Sequence, residues 1–259
     1  MYSTIELKKE GRLARLTLNR PESMNAMDDV MMKELADAFE SLKTEADVQV
    51  LIIQGAGRAF SAGGDIKKMV DPETPMDIST VMIDVSRLAK ALYELPQITI
   101  ASIHGAAAGL GFSVALGCDV ILAEENSKLA MNFIGIGLIP DGAGHFFLKE
   151  RIGVPLAKQL IWSGEVLPGP VAKEKGLVDE LVPEGQVAQA SEMLAQKLLQ
   201  SPIAAMLATK KILHAQKIDE LESVLRLESE QQVAMRNTQD HMEGISSFVQ
   251  KRKPTFTGK

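Results

Sequence analysis

Cysteine is nearly absent from this sequence, since Cys118 is the only one among 259 residues. An intramolecular disulfide is therefore excluded, which is typical of a reducing cytosol and leads us to expect a cytoplasmic location. CxxC and HExxH motifs are also lacking and the four histidines are scattered, so we expect no metal site. Neither the GxxxxGKS/T phosphate loop nor the GxGxxG spacing of dinucleotide-binding folds occurs, which argues against those nucleotide sites.

An excess of positive charge is lacking too. The chain has 28 Lys and Arg against 34 Asp and Glu, for a net charge of −6, which argues against a nucleic-acid partner. The N-terminus has no apolar core of the signal-peptide type. The longest apolar run, residues 101–123, contains four glycines, His104 and Asp119. These residues favour a strand, a tight turn and a buried helix over a membrane span, so we expect no membrane partner.

The hydrophobic pattern is typical of a layered α/β core. Alternating residues at 3–9 and 12–18, separated by Gly11, predict a hairpin. Apolar strands and helical patterns then alternate, which indicates a largely parallel sheet. The further predicted strands are 48–54, 98–103, 119–123, 128–131 and 177–182. The predicted helices are 28–44, 79–94, 110–118, 155–163, 170–175, 185–199, 202–215 and 219–238.

Two glycine-rich segments each follow a predicted apolar strand. They are AFSAGGDI at residues 59–66 and HGAAAGLGF at residues 104–112. Small side chains let the backbone approach a ligand closely, and bare N–H groups at such turns can bind an anion or a developing oxyanion. A single glycine-rich segment more often serves only tight packing, so the hypothesis of an oxyanion site depends on both segments occurring together.

These segments and their neighbours resemble the crotonase superfamily, the enoyl-CoA hydratase/isomerase family, over nearly the whole chain. The matching stretches are LTLNRPESMNAM (16–27), GAGRAFSAGGDI (55–66), IHGAAAGLGFSVALGCDVILA (103–123), IGLIPDGAG (136–144), AKEKGLV (172–178) and FVQKRKP (248–254). The resemblance implies an α/β fold with a ββα spiral core and two near-perpendicular sheets. It also implies a C-terminal helical region that builds homotrimers, often paired into hexamers.

The predicted boundary between the core and the C-terminal helices lies near residues 195–202, with Pro202 at a helix start. We therefore expect a core over residues 1–197 that binds acyl-CoA and carries out catalysis. A helical region over residues 198–259 would serve oligomerisation and CoA contact.

The resemblance also implies which residues bind an acyl-CoA thioester, which would be the substrate, with no separate cofactor. The backbone N–H groups of Gly64 and Leu110 would hold the thioester carbonyl. A backbone donor does not depend on the side chain, so Leu110 is acceptable where the family usually has glycine. The implied CoA contacts are Met24, Ala26, Ala62, Gly64, Asp65, Ile66, Phe248 and Lys251, the last two often reaching a neighbouring subunit's ligand.

The reaction depends on the acids and bases beside the thioester. Hydratases of the family use two glutamates, whose positions fall on Ser113 and Phe133 in this sequence. Asp141, in IPDG, occupies a position where several isomerases of the superfamily, including ring-opening phenylacetate-pathway and dienoyl-CoA isomerases, have aspartate. A single carboxylate suits an allylic proton shift, which needs no activated water. Ser113 and His145 are candidate supporting residues.

We therefore expect an enoyl-CoA isomerase with Asp141 as its acid/base. Three alternatives stay open on the sequence alone: an enoyl-CoA hydratase that uses Asp141, another hydrolytic activity of the superfamily, and an inert acyl-CoA-binding homologue that has lost its glutamates. Asp141 could also serve as a helix N-cap, a role that can coexist with catalysis.

Overall fold

The computed structural model describes residues 2–69 and 77–259. Residues 70–76, in the loosely patterned stretch ahead of the helix predicted near 79–94, lie outside the described residues. The described strands are β1 (Ile5–Glu10), β2 (Leu13–Leu18), β3 (Val50–Gly55), β4 (Ile98–Ile103), β5 (Ala106–Ala108), β6 (Val120–Glu124), β7 (Lys128–Ala130), β8 (Val166–Pro168) and β9 (Glu180–Val182).

Ten α-helices accompany these strands in the described residues. They are α1 (Asp29–Leu42), α2 (Ile66–Met69), α3 (Ile78–Tyr93), α4 (Leu110–Leu116), α5 (Gly144–Ser163), α6 (Gly169–Glu174), α7 (Val187–Leu199), α8 (Ile203–Ala215), α9 (Ile218–Arg236) and α10 (Gln239–Gln250). Short 3-10 helices occur at Pro21–Ser23 and Phe133–Ile136. No helix in the described part of the chain combines the length and apolarity that a membrane span requires.

The larger sheet has the strand order β1-β2-β3-β4-β6-β9. The predicted hairpin is confirmed, because β1 pairs antiparallel with β2, and every other pair in this sheet is parallel. Helices cover both faces. Val50 and Ile52 of β3 pack in the cluster that includes α7, whereas Leu51 and Ile53 pack in the main core with α1 and α3. This two-sided burial explains why β3 is apolar throughout rather than alternating.

The second sheet, with the order β5-β7-β8, brings the two glycine-rich segments together. β5 pairs parallel with β7, and an isolated parallel bridge joins Ser61 to Ala107 of β5. The sequence pattern did not predict β5, because three alanines have no strand preference of their own and extend only through these pairings.

The C-terminal helices return to the core. α9 packs against α3 and α5, and α10 packs against the 3-10 helix at Phe133–Ile136. The last helix predicted from the sequence ends at residue 238, so α10 was not predicted. The buried residues of α10 are His241, Gly244 and Ser247, which form no apolar stripe. Gly244 is required there, because a Cβ at this position would lie 2.7 Å from the backbone of Ile136.

Candidate active site

The two glycine-rich turns lie in direct backbone contact. The Ser61 N–H donates to the Ala106 carbonyl and the Ala108 N–H donates to the Ser61 carbonyl, each at 3.0 Å. Gly63 has a φ of +91°, and a Cβ there would lie 2.7 Å from the Ala108 oxygen. Only glycine combines this backbone conformation with this close approach. The contact places the residues that follow each turn, Gly64 and Leu110, at the same end of the structure.

The N–H groups of Gly64 and Leu110 are both available to a ligand. Gly64 forms a parallel bridge with Met27, but that bridge uses the amides of Met27 and Asp65 and leaves the Gly64 N–H directed elsewhere. Leu110 is the first residue of α4, so its N–H has no acceptor within the helix. Within residues 2–69 and 77–259, neither N–H finds a protein acceptor. Two such donors lining one cavity form a candidate oxyanion hole.

Two residues that the sequence reasoning did not single out, Asn25 and Arg20, hold the first turn in place. The buried Asn25 amide donates to the carbonyls of Ala56 and Ala59, both at 2.8 Å. The Arg20 guanidinium pairs with Asp65 at 3.0 Å, directly after Gly64. Both lie in the NRPESMN stretch, whose match to the family was the available signal. They fix the backbone that presents the Gly64 N–H.

Gly64 and Leu110 open into a cavity of about 220 Å³. Its apolar wall comes from one face of α3, and Phe133 adds an aromatic ring that packs near Gly109. Its polar residues are Asp141, Gln232, Arg236 and Asn132. The remaining lining residues are apolar or glycine: Met32, Ala62, Gly63, Ile66, Met69, Ile78, Val81, Met82, Val85, Gly135, Ile136, Leu138 and Phe248. The cavity therefore suits an apolar chain that meets a few polar groups.

Asp141 places a carboxylate in this cavity. Its Oδ2 accepts a hydrogen bond from Gln232 Nε2 at 2.9 Å, whereas its Oδ1 is buried without a partner among the described residues. Burial raises the pKa of Asp141 to about 7, and the nearby charge of Glu228 adds to this, while the Gln232 hydrogen bond opposes it. A pKa near neutrality suits a group that must both accept and return a proton.

The candidate supporting residues do not line the cavity: Ser113 contacts the Asp141 loop and His145 contacts Glu228. The buried Ser113 hydroxyl donates to the Asp141 backbone carbonyl at 2.8 Å. His145 Nδ1 lies 2.7 Å from Glu228 Oε1. Glu228 also accepts the N–H groups of Ala143 and His145, so both of its oxygens are engaged at the start of α5. These contacts fix the loop that carries Asp141.

Sequence reasoning missed the contribution of α9. Glu228, Gln232 and Arg236 recur every four residues and therefore share one face of the helix. Glu228 and Gln232 are buried on the face that also carries buried Leu221 and Leu225. Polar residues at the apolar positions of a helix were the signal that could have found them.

Arg236 is the one cationic side chain among the described cavity-lining residues. Its side chain is half-buried, and its Nε is buried with no acceptor among the described residues. Burial lowers the pKa of the Arg236 guanidinium, and the charge of Asp141 opposes that shift.

The structure brings together only some of the predicted CoA contacts. Ala62, Gly64, Ile66 and Phe248 line the cavity. Lys251 is exposed and ends α10, three residues after Phe248. These contacts stay predictions.

Met24, Ala26 and Asp65 support the first turn instead of lining the cavity. The Met24 carbonyl accepts the Ala62 N–H at 2.9 Å, and the Ala26 carbonyl accepts from Arg20. The buried Asp65 carboxylate pairs with Arg20. Among the described residues, no three His, Cys, Asp or Glu side chains are arranged to hold a metal ion.

Comparison with known proteins matches this chain and its fold to one family. The sequence pattern of the enoyl-CoA hydratase/isomerase family matches residues 8–259. A Bacillus subtilis (strain 168) protein, provisionally named enoyl-CoA hydratase/isomerase YhaR, is 45% identical over 246 residues, 95% of this chain and 96% of its own. The 1,2-epoxyphenylacetyl-CoA isomerase of Escherichia coli (strain K12) is 33% identical, over 96% of this chain and 97% of its own.

Solved structures support the same family assignment. The crystal structure of an enoyl-CoA hydratase from Mycobacterium avium subsp. paratuberculosis K-10 superimposes with a TM-score of 0.90 at 32% identity, covering 99% of this chain and 100% of its own. The relatives thus include both a named isomerase and a named hydratase. The chain belongs to the enoyl-CoA hydratase/isomerase family, within the crotonase superfamily.

Proposed function

We propose that this protein is an enoyl-CoA isomerase that moves a double bond from C3=C4 to C2=C3 of an acyl-CoA. The observation that carries the proposal is Asp141, the one carboxylate among the described cavity-lining residues, with its Oδ1 unpartnered beside the candidate oxyanion hole. The similarity to a 1,2-epoxyphenylacetyl-CoA isomerase adds support.

The reaction follows from these groups. The thioester carbonyl accepts the N–H groups of Gly64 and Leu110, which makes the C2 protons more acidic. Asp141 removes a proton from C2, and the electron pair becomes a dienolate whose negative oxygen these two donors stabilise. The protonated Asp141 then returns the proton to C4, and the C2=C3 double bond forms. One carboxylate with a pKa near 7 therefore completes the cycle without a water molecule.

The hydratase alternative lacks a carboxylate at both positions where hydratases of the family have glutamate. Ser113 is buried, and its hydroxyl donates to the Asp141 carbonyl. Phe133 presents an apolar ring to the cavity, where the hydratases have an acid. Glu228 is a nearby acid, but its oxygens accept hydrogen bonds from Ala143 and His145. These contacts support isomerisation over hydration.

The test is Asp141→Asn assayed with 3-hexenoyl-CoA, following the gain of conjugated-thioester absorbance. We expect kcat to fall about 10²- to 10⁴-fold, because a general acid/base contributes that much to proton transfer. Asp219→Asn is the matched control, since Asp219 is an exposed acid on α9. We expect this variant to retain full activity.

Crotonyl-CoA tests hydration in the same preparation, because its conjugated absorbance disappears on addition of water. Unchanged turnover of 3-hexenoyl-CoA by the Asp141→Asn variant would refute the assignment of the base. Rapid loss of crotonyl-CoA absorbance without any 3-enoyl turnover would instead identify a hydratase.

A further inference from the structure

Arg236 shares the cavity with the Asp141 carboxylate but forms no close ion pair among the described residues. Within residues 2–69 and 77–259, no carboxylate lies within 4 Å of its guanidinium, and its buried Nε has no acceptor. Arg20, which holds the first glycine turn, by contrast pairs with Asp28 at 3.3 Å and with Asp65 at 3.0 Å. A partly desolvated cation without a close carboxylate is unfavourable, and an anionic group of a bound ligand would stabilise it.

Three buried polar atoms without partners in the described part of the chain belong to residues that line the cavity. Asp141 Oδ1, Gln232 Oε1 and Arg236 Nε are all buried without partners among the described residues, and all three residues line the cavity. The part of the wall that α3 supplies, Ile78, Val81, Met82 and Val85, is apolar. A plain hydrocarbon chain would fit the α3 wall but leave Arg236 unpaired.

We propose that the acyl group of the substrate carries a free carboxylate beyond its reacting carbons, and that Arg236 binds this carboxylate. The Nε edge of a guanidinium offers two parallel N–H donors that match the two oxygens of a carboxylate. A carboxylate also neutralises the half-buried cation, whereas a neutral oxygen would accept hydrogen bonds without removing the charge. The substrate class is therefore the monothioester of a dicarboxylic acid with CoA.

Binding of saturated acyl-CoAs tests this class without any turnover. We expect the wild-type protein to bind adipyl-CoA at least about 30-fold more tightly than hexanoyl-CoA in calorimetric titrations, because a desolvated charge pair contributes at this level. Arg236→Met removes the charge at similar length and should abolish the preference. Arg236→Lys keeps the positive charge but loses the two parallel N–H donors, so it should retain part of the preference for adipyl-CoA. Arg226→Met is the matched control, since Arg226 is an exposed arginine on the same helix that pairs with Glu230.

Each contrary outcome overturns the proposal. Equal binding of adipyl-CoA and hexanoyl-CoA by the wild-type protein would exclude carboxylate recognition. An equal loss of affinity for both ligands in Arg236→Met would assign Arg236 to the CoA phosphates. Equally tight binding of the methyl ester of adipyl-CoA would show that a neutral oxygen suffices.

Carboxylate recognition by Arg236 does not depend on the proposed isomerase activity. Only the choice of a 3-enoyl-CoA as the reacting substrate rests on it. With 3-hexenedioyl-CoA and 3-hexenoyl-CoA, we expect the ratio of kcat/KM values to fall about 30-fold in Arg236→Met. An adipyl-CoA preference without turnover of either 3-enoyl substrate would contradict the isomerase and leave carboxylate recognition supported. Turnover of both 3-enoyl substrates without a preference for the dicarboxylate would support the isomerase and contradict carboxylate recognition.

Discussion

Replacing Asp141 with asparagine should change the stability of the protein in a pH-dependent way. Burial raises the pKa of Asp141 from 3.8 to about 7, so the folded protein retains a proton that the unfolded chain has already released. The free energy of unfolding of the wild-type protein therefore falls as the pH rises from about 4 to about 7. Above about pH 7 the full cost of the buried charge is present.

The size of the effect follows from the two pKa values. They differ by about 3, and each pKa unit corresponds to 1.36 kcal/mol, so the charged form costs about 4 kcal/mol at alkaline pH. Roughly half of that cost is already present at pH 5.5. Asparagine cannot ionise, so the stability of Asp141→Asn relative to wild type should increase by about 2 kcal/mol between pH 5.5 and pH 8.5.

Thermal unfolding at fixed protein concentration measures this difference. For a chain of this size, 2 kcal/mol corresponds to a Tm change of about 4–8 °C. Asp219→Asn, an exposed change on α9, should show an offset that does not vary over the same pH range. If the difference between wild type and Asp141→Asn were the same at both pH values, Asp141 would not be a desolvated carboxylate, and the argument for its catalytic pKa would fail.

Two further predictions concern the glycine turn and the C-terminal helices. Gly63→Ala should lower kcat about 10²- to 10³-fold, as expected for a lost oxyanion donor, because the new Cβ would lie 2.7 Å from the Ala108 oxygen and displace the turn. Gly185→Ala is the control, since Gly185 also has a positive φ, +78°, but no atom within 4 Å of the added Cβ. Retained activity in Gly63→Ala would contradict the close contact. We also propose that the chain forms homotrimers or hexamers, because α8 buries only Ile203 and leaves Ile212 and Leu213 about 60% exposed. Light scattering should therefore give a trimer or hexamer that Leu213→Asp disrupts, and a monomeric wild type would refute this.

Local pattern was sufficient for much of the architecture. The helices predicted at 79–94 and 202–215 occur at Ile78–Tyr93 and Ile203–Ala215, and the strand predicted at 98–103 has those bounds. The helix at 79–94 has strong hydrophobic periodicity and the strand has a continuous apolar run, which are properties of adjacent residues. The helix at 202–215 instead follows Pro202 and is rich in residues of high helix propensity such as Ala, Leu and Lys. The α10 helix escaped prediction, because its buried side is made of His241, Gly244 and Ser247, which only the neighbouring 3-10 helix makes suitable for burial.

The sequence by itself determined the sheet-and-helix core, the two glycine turns and the presence of one carboxylate, Asp141, where the hydratase acids are missing. Only the tertiary structure decided that Gln232, 91 residues further along the chain, holds one oxygen of Asp141, and that Arg236 enters the same cavity with no close carboxylate in the described part of the chain. The physical reason is that a polar residue on a helix has no fixed role until packing decides what it faces. Folding brings α9 against α3 and α5, and that contact makes Gln232 and Arg236 part of the wall of a site.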